Sequence, residues 1–238
     1  MTRLLVSVRD APEALAAATA GADFIDLKDP AAGALGGLPT ERIVAIVAAL
    51  RAAGIDLPVS ATIGDLPSSR QAEALARVTA VAGCGVDYVK VGIEPGARGQ
   101  ALIARLASCP APVVPVLIAD DGVDAAQLAC ALSFEAFPAL MLDTARKGEG
   151  SLLQRVDRVA LQGFVDAVRA RSTLAGLAGA LRGEDLPVLI ALGPDFAGFR
   201  SAVCDAGRAS ALSPARVGEL ALRLRQGRPR GAMALRLS

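Results

Sequence analysis

Eight short apolar runs of β-type spacing alternate with eight helix-type stretches, and this alternation restricts the fold more than any other feature of the sequence. The runs are 3–8 (RLLVSV), 23–28 (DFIDLK), 58–64 (PVSATIG), 87–93 (DYVKVGI), 113–119 (VVPVLIA), 139–144 (ALMLDT), 173–179 (TLAGLAG) and 196–203 (FAGFRSAV). Between them Ala, Leu, Val and Arg recur at helical spacing, and several stretches open on a Ser, Thr or Asp cap and close on Gly, as Thr40 and Gly54 do. Eight such units in 238 residues predict a closed parallel (β/α)8 barrel, the TIM-barrel class of α/β fold. An open doubly wound sheet has fewer strands and a glycine-rich first turn, and no G-x-G-x-x-G follows the first run. Pro187 interrupts the seventh helical stretch, RGEDLPVLIALG, and makes it the least regular of the eight. One barrel domain is expected over 1–226, followed by a tail at 227–238.

A barrel of this kind builds its active site where strands end and the following loops begin. The chain has 25 Lys and Arg residues, of which only Lys28, Lys90 and Lys147 are lysine. All three fall at or just past the end of an apolar run, while the helix-type stretches use arginine. Arginine stays protonated at any working pH, whereas a buried lysine can lose its proton and act as a base or a Schiff-base nucleophile.

Strand side chains alternate faces, so Asp26 and Lys28 share one side, as do Tyr88 and Lys90, while Ile25 and Leu27 face the helices. If that shared side is the barrel interior, two lysines meet over one cavity. Close ammonium groups in a partly dry site disfavour each other's charge and bring one pKa toward neutrality. Asp143, ending the sixth run, and Asp26 would then hold the remaining cation and relay protons, with Lys147 following in the glycine-containing loop TARKGEG.

Weaker candidates lie at three other strand ends. Ser60, Thr62 and Asp65 in VSATIGD offer groups for a polyol or carbonyl, or hydroxyls satisfied by backbone. Gly179, Arg200 and Ser201 are candidates for a phosphate, because loops after the seventh and eighth strands of many barrels hold one on backbone N–H groups. Their other reading is close packing of small residues and a structural ion pair for Arg200.

The rest of the composition narrows the chemistry. There is no histidine, and Cys84, Cys109, Cys130 and Cys204 are widely spaced with no C-x-x-C, which argues against zinc, a histidine-based triad and a disulfide scaffold. Neither a metal nor a cofactor is expected. A net charge of +1 gives no field for nucleic acid or an anionic membrane. The basic end, RLRQGRPRGAMALRLS, reads as a solvated helix end and tail, with a nucleic-acid arm as the alternative. No apolar stretch reaches the about 18 residues of a membrane span, and MTRLLVSVRD lacks the features of a secretion signal, so a cytoplasmic protein is expected. Alanine-rich helix faces suit either a homo-oligomer or the barrel's own outer layer.

Five blocks, IDLKDPAAGALG, VSATIGD, DYVKVG, LDTARKGEG and GFRSAVC, in this order and spacing resemble the (5-formylfuran-3-yl)methyl phosphate synthases, also called 4-(hydroxymethyl)-2-furancarboxaldehyde-phosphate synthases. The resemblance spans nearly the whole chain. It implies a (β/α)8 barrel that condenses two molecules of glyceraldehyde 3-phosphate to a furan phosphate, releasing phosphate and water, for methanofuran-type cofactors of methanogens and of methylotrophs that oxidise formaldehyde. It also implies Lys28 as the Schiff-base residue and Lys90 as the proton acceptor, with Asp26, Asp143 and Lys147 in support. Two departures from the family bear on phosphate binding: Ala180 stands where the family often has serine, and the loop CDAGRAS at 204–210 is poorer in polar residues than the family's versions. A class I aldolase acting on a phosphorylated sugar, or a non-catalytic sugar-phosphate-binding barrel, would share parts of this pattern.

Overall fold

Alternate residues of each strand meet two different environments, and the chain supplies apolar side chains to both. In the computed structural model, which describes residues 1–227, the strands are β1 (Arg3–Val8), β2 (Phe24–Leu27), β3 (Val59–Thr62), β4 (Tyr88–Ile93), β5 (Val113–Ile118), β6 (Ala139–Asp143), β7 (Leu174–Leu177) and β8 (Phe196–Phe199). They pair in parallel in chain order, and β8 closes on β1 to complete the barrel. Around it lie α1 (Ala11–Thr19), α2 (Thr40–Ala52), α3 (Gln71–Ala82), α4 (Ala97–Leu106), α5 (Ala125–Leu132), α6 (Leu152–Arg155), α7 (Arg158–Arg169), α8 (Leu186–Leu192) and α9 (Pro214–Gln226).

Outward strand residues such as Leu4, Val6, Ile25, Leu27, Val89 and Leu142 join Ile43, Leu50, Ile103 and Phe164 of the helices in the main core. Burying each such side chain stabilises the fold by about 1.5–3 kcal/mol. Inward residues make a second, smaller core inside the barrel from Leu5, Val114, Val116, Ala139, Met141 and Phe196, with Phe24 and Tyr88 beside them. Toward the C-terminal strand ends the inward positions turn polar, at Ser7, Asp26, Lys28, Thr62, Lys90 and Asp143, all buried. The interior is therefore an apolar floor beneath a charged layer.

One loop enters the barrel from above. Leu35, between β2 and α2, is 2% exposed and belongs to the inner core. Its N–H donates to the Asp65 carboxylate at 3.0 Å. Gly92 of β4 makes room for it, since a Cβ there would lie 2.7 Å from Leu35 Cδ1.

The eight strands stand where their periodicity places them, and three details differ. Pro187 does not interrupt α8 but begins it: it occupies the first helical turn after a 3-10 turn at Gly183–Asp185, where its missing N–H has no helical partner to lose. β8 stops at Phe199, because Arg200 turns away and Ser201–Val203 forms a 3-10 turn. A one-turn helix, α6, is added before α7. The expected tail after Gly227 lies outside the described residues. Among the described residues no helix is long and apolar enough to cross a membrane.

Candidate active site

The sheet register assembles the charged layer. Asp26 of β2 stands level with Ser7 of β1 and Ser60 of β3, and Lys90 of β4 stands level with Thr62. Ser7 Oγ donates to Asp26 Oδ2 at 3.0 Å, Ser60 Oγ donates to Oδ1 at 2.8 Å, and Lys90 Nζ donates to Oδ1 at 3.0 Å. Burial alone would raise the Asp26 carboxyl. The fields of Lys90 and Lys28 and the hydrogen bonds from Lys90 and Ser60 outweigh it and hold the group below the usual carboxylate range.

A second pair stands opposite. Lys147 Nζ donates to Asp143 Oδ1, and the Thr144 N–H donates to the same oxygen at 2.7 Å. Burial again pushes the carboxyl up, and Lys147 and Lys28 pull it below its ordinary value. The loop carrying Lys147 is anchored by Asp120, which accepts the N–H groups of Ala145 at 2.7 Å and Arg146 at 3.0 Å.

Lys28 differs from the other two. It is 7% exposed, yet among the described residues it makes no ion pair, and its one hydrogen bond is a long one of 3.5 Å to the Ala34 carbonyl. Burial lowers its pKa to about 8, assisted by the charges of Lys147 and Lys90 and opposed by Asp143 and Asp26. An amine in this state loses its proton easily and keeps its lone pair clear of a carboxylate.

These groups line a narrow cavity of about 60 Å³ at the C-terminal mouth of the barrel, open to solvent. Its far wall is Gly179, Ala180 and Leu181 after β7 and Ser201 after β8. Gly179 (φ +112°) and Ala180 (φ +47°) both have positive φ, a tight turn of the kind from which anion nests are built. The N–H groups of residues 179–181 and 201 have no acceptor among the described residues.

The structure thus brings Asp26, Lys28, Lys90, Asp143 and Lys147 around one cavity, with Gly179 and Ser201 on its wall. It treats three other candidates differently. Arg200 reaches the cavity wall, but its five N–H groups are all engaged: Nε with Arg208 O (2.8 Å), Nη1 with Ser7 O (3.1 Å) and Glu13, Nη2 with Glu13 Oε1 (3.1 Å) and Ser210 O (3.0 Å). It braces the end of β8 against β1 and α1 and has no donor left for a phosphate. Ser60 lies below the cavity as a support for Asp26. The Thr62 hydroxyl donates to the Gly36 carbonyl at 3.0 Å and holds the β2–α2 loop.

Three participants were not picked out from the sequence. Ser7 was findable, since it shares the inward face of β1 with Leu5. Asp120 follows β5 and could have been sought as a strand-end acid. Arg208, which also lines the cavity, carries no such signal, because it sits well past its strand in an irregular loop.

A model of the family described as 4-HFC-P synthase matches residues 4–221. The chain belongs to the 4-HFC-P synthase family. A (5-formylfuran-3-yl)methyl phosphate synthase of Methanocaldococcus jannaschii is 32% identical over 231 residues, covering 86% of this chain and 91% of that protein. One from Methanosarcina mazei is 30% identical over 237 residues, covering 88% and 94%. A Methylorubrum extorquens protein that carries the same name provisionally is 41% identical over 226 residues, covering 94% and 92%. The 4-HFC-P synthase relatives are named as enzymes, and this member is one by family. Among solved structures, a phosphoribosyl anthranilate isomerase from Thermus thermophilus superposes with a TM-score of 0.66 at 21% identity, covering 95% of this chain and 100% of that one. That likeness describes the 4-HFC-P synthase fold and nothing more.

Proposed function

We propose that the protein condenses two molecules of glyceraldehyde 3-phosphate into (5-formylfuran-3-yl)methyl phosphate through a Schiff base on Lys28, as a lyase feeding methanofuran-type cofactor synthesis. The observation that carries this reading is Lys28 itself: a buried cavity lysine without an ion pair, beside two lysines that each have one.

The Lys28 amine attacks the aldehyde carbon of one triose phosphate, and loss of water leaves an iminium. The iminium acidifies the adjacent C–H by drawing electrons toward nitrogen. Lys90 in its neutral form takes that proton, and Asp26, 3.0 Å away, holds the ammonium that results. The enamine carbon then bonds to the aldehyde carbon of the second triose phosphate. Elimination of one phosphate and ring closure with two dehydrations give the furan. Hydrolysis of the imine takes back the water lost at its formation and frees Lys28, so two trioses yield one product, one phosphate and two waters. Lys147 with Asp143 is placed to protonate departing oxygen. The left-handed turn at Gly179 and Ala180 offers its free N–H groups to a phosphate ester.

Borohydride added with glyceraldehyde 3-phosphate should reduce the iminium and leave a mass-tagged adduct on Lys28, and Lys28→Arg should abolish both adduct and turnover. An untagged protein together with an active Lys28→Arg variant would sink the mechanism. An ultraviolet-absorbing furan formed from this single substrate separates the reading from an ordinary aldolase.

A further inference from the structure

Five cationic side chains and two carboxylates line the cavity, which leaves it with an excess of positive charge. Four of those cations are Lys28, Lys90 and Lys147, already assigned, and Arg200, neutralised by Glu13. The fifth is Arg208, which among the described residues makes no ion pair at all. Its one side-chain hydrogen bond runs from Nη2 to the Gly33 carbonyl at 2.6 Å.

The position of Arg208 is built rather than incidental. Its loop is closed by a bridge between Cys204 and Leu212, by Asp205 N–H to Ala211 O (3.1 Å) and by Ala206 N–H to Ser210 Oγ (2.8 Å). Arg200 grips the carbonyls of Arg208 and Ser210, and Arg9 Nη1 grips that of Ala209 at 2.7 Å. Held by its backbone, Arg208 extends its side chain from the end of β8 past β1 to the loop after β2. The free N–H groups of residues 179–181 and 201 belong instead to the β7–β8 side, so the cavity offers anion donors on two sides with Lys28 on its lining between them.

We propose that Arg208 forms a second phosphate subsite, on the β2 side of the cavity mouth, for the phosphate ester of one of two phosphorylated substrates. Apart from the Nη2 N–H that holds Gly33, the guanidinium keeps four N–H donors for phosphate oxygens, and among the described residues no carboxylate pairs with it. Because the same side chain holds Gly33, an anion there also steadies the loop whose Ala34 carbonyl faces Lys28. The proposal deepens the condensation of two triose phosphates, but phosphate binding can be read without that reaction.

Inorganic phosphate titrated into the full chain by calorimetry should bind at two equivalents in the wild type and at one in Arg208→Gln. Arg208→Lys, which keeps the charge, should retain both with the second weakened. In turnover, Arg208→Gln should raise KM for glyceraldehyde 3-phosphate roughly tenfold or more, a larger change than in kcat. Equal phosphate stoichiometry and affinity in wild type and Arg208→Gln would overturn the subsite, as would a fall in kcat with KM unmoved. A wild type that binds two phosphates yet forms no furan would leave the subsite standing and remove only the condensation.

Discussion

Lys28 combines two properties that oppose each other. A buried, unpaired ammonium is unfavourable for the fold, and the same unfavourable charge makes the amine available for chemistry at mild pH. With a pKa of about 8, the rate of adduct formation should rise with pH up to that value and level off above it, measured as borohydride-trapped protein against time. The amine holds its proton less tightly folded (about 8) than unfolded (the ordinary lysine value of 10.5), so between these values the unfolded chain binds the extra proton and stability rises with pH. Below about 8 both states are charged and the full penalty is present. Replacing Lys28 by Met should therefore stabilise the inactive protein by about 1–3 kcal/mol at neutral pH, with the gain in Tm shrinking as pH rises past 8. The positions of the three lysines were legible in the sequence because strand alternation is local and lysine is scarce. The engagement of Arg200 was not, because its partner Glu13 lies 187 residues away and only closure of the barrel brings them together. The two readings of Ser60 and Thr62 stayed open for a related reason: period-two spacing gives the face of a strand but not the depth of a side chain along the barrel.

Loops after the strands, more than the strands themselves, set the geometry of the site. Asp120 follows β5, and its carboxylate holds the two N–H groups that begin the loop of Lys147, while its carbonyl accepts from Arg155 Nε at 2.9 Å. Asp120→Ala should release that loop and lower kcat by roughly 10- to 100-fold, while Lys28 still forms its trapped adduct. Loss of the adduct as well would mean that the loop also shapes the first step. Pro187 carries a similar lesson about reading elements. The same residue breaks a helix in its interior and starts one at its first turn, and which applies depends on where the preceding turn ends.

At the scale of the whole molecule, the eight-unit alternation was enough to foresee a closed parallel barrel, because each strand needs helices on its outer face and the repeat leaves no edge. What the pattern could not show is how the interior is divided between its apolar floor and its charged layer. Below Lys90 the floor leaves a small, partly open cavity of about 40 Å³ walled by Leu5, Phe24, Tyr88, Val114, Ala139, Leu174 and Phe196. A chamber walled by hydrocarbon does not readily admit water, and unfolding eliminates such space. Hydrostatic pressure should therefore favour unfolding modestly through this space, and Ala139→Val, by filling it, should make the unfolding volume less negative. Tyr88 is the only tyrosine and the chain has no tryptophan, so intrinsic fluorescence under compression reports from inside the chamber itself. An Ala139→Val unfolding volume equal to that of the wild type would show that the space is already filled. The small void beneath the lysines is where compression should act on this barrel.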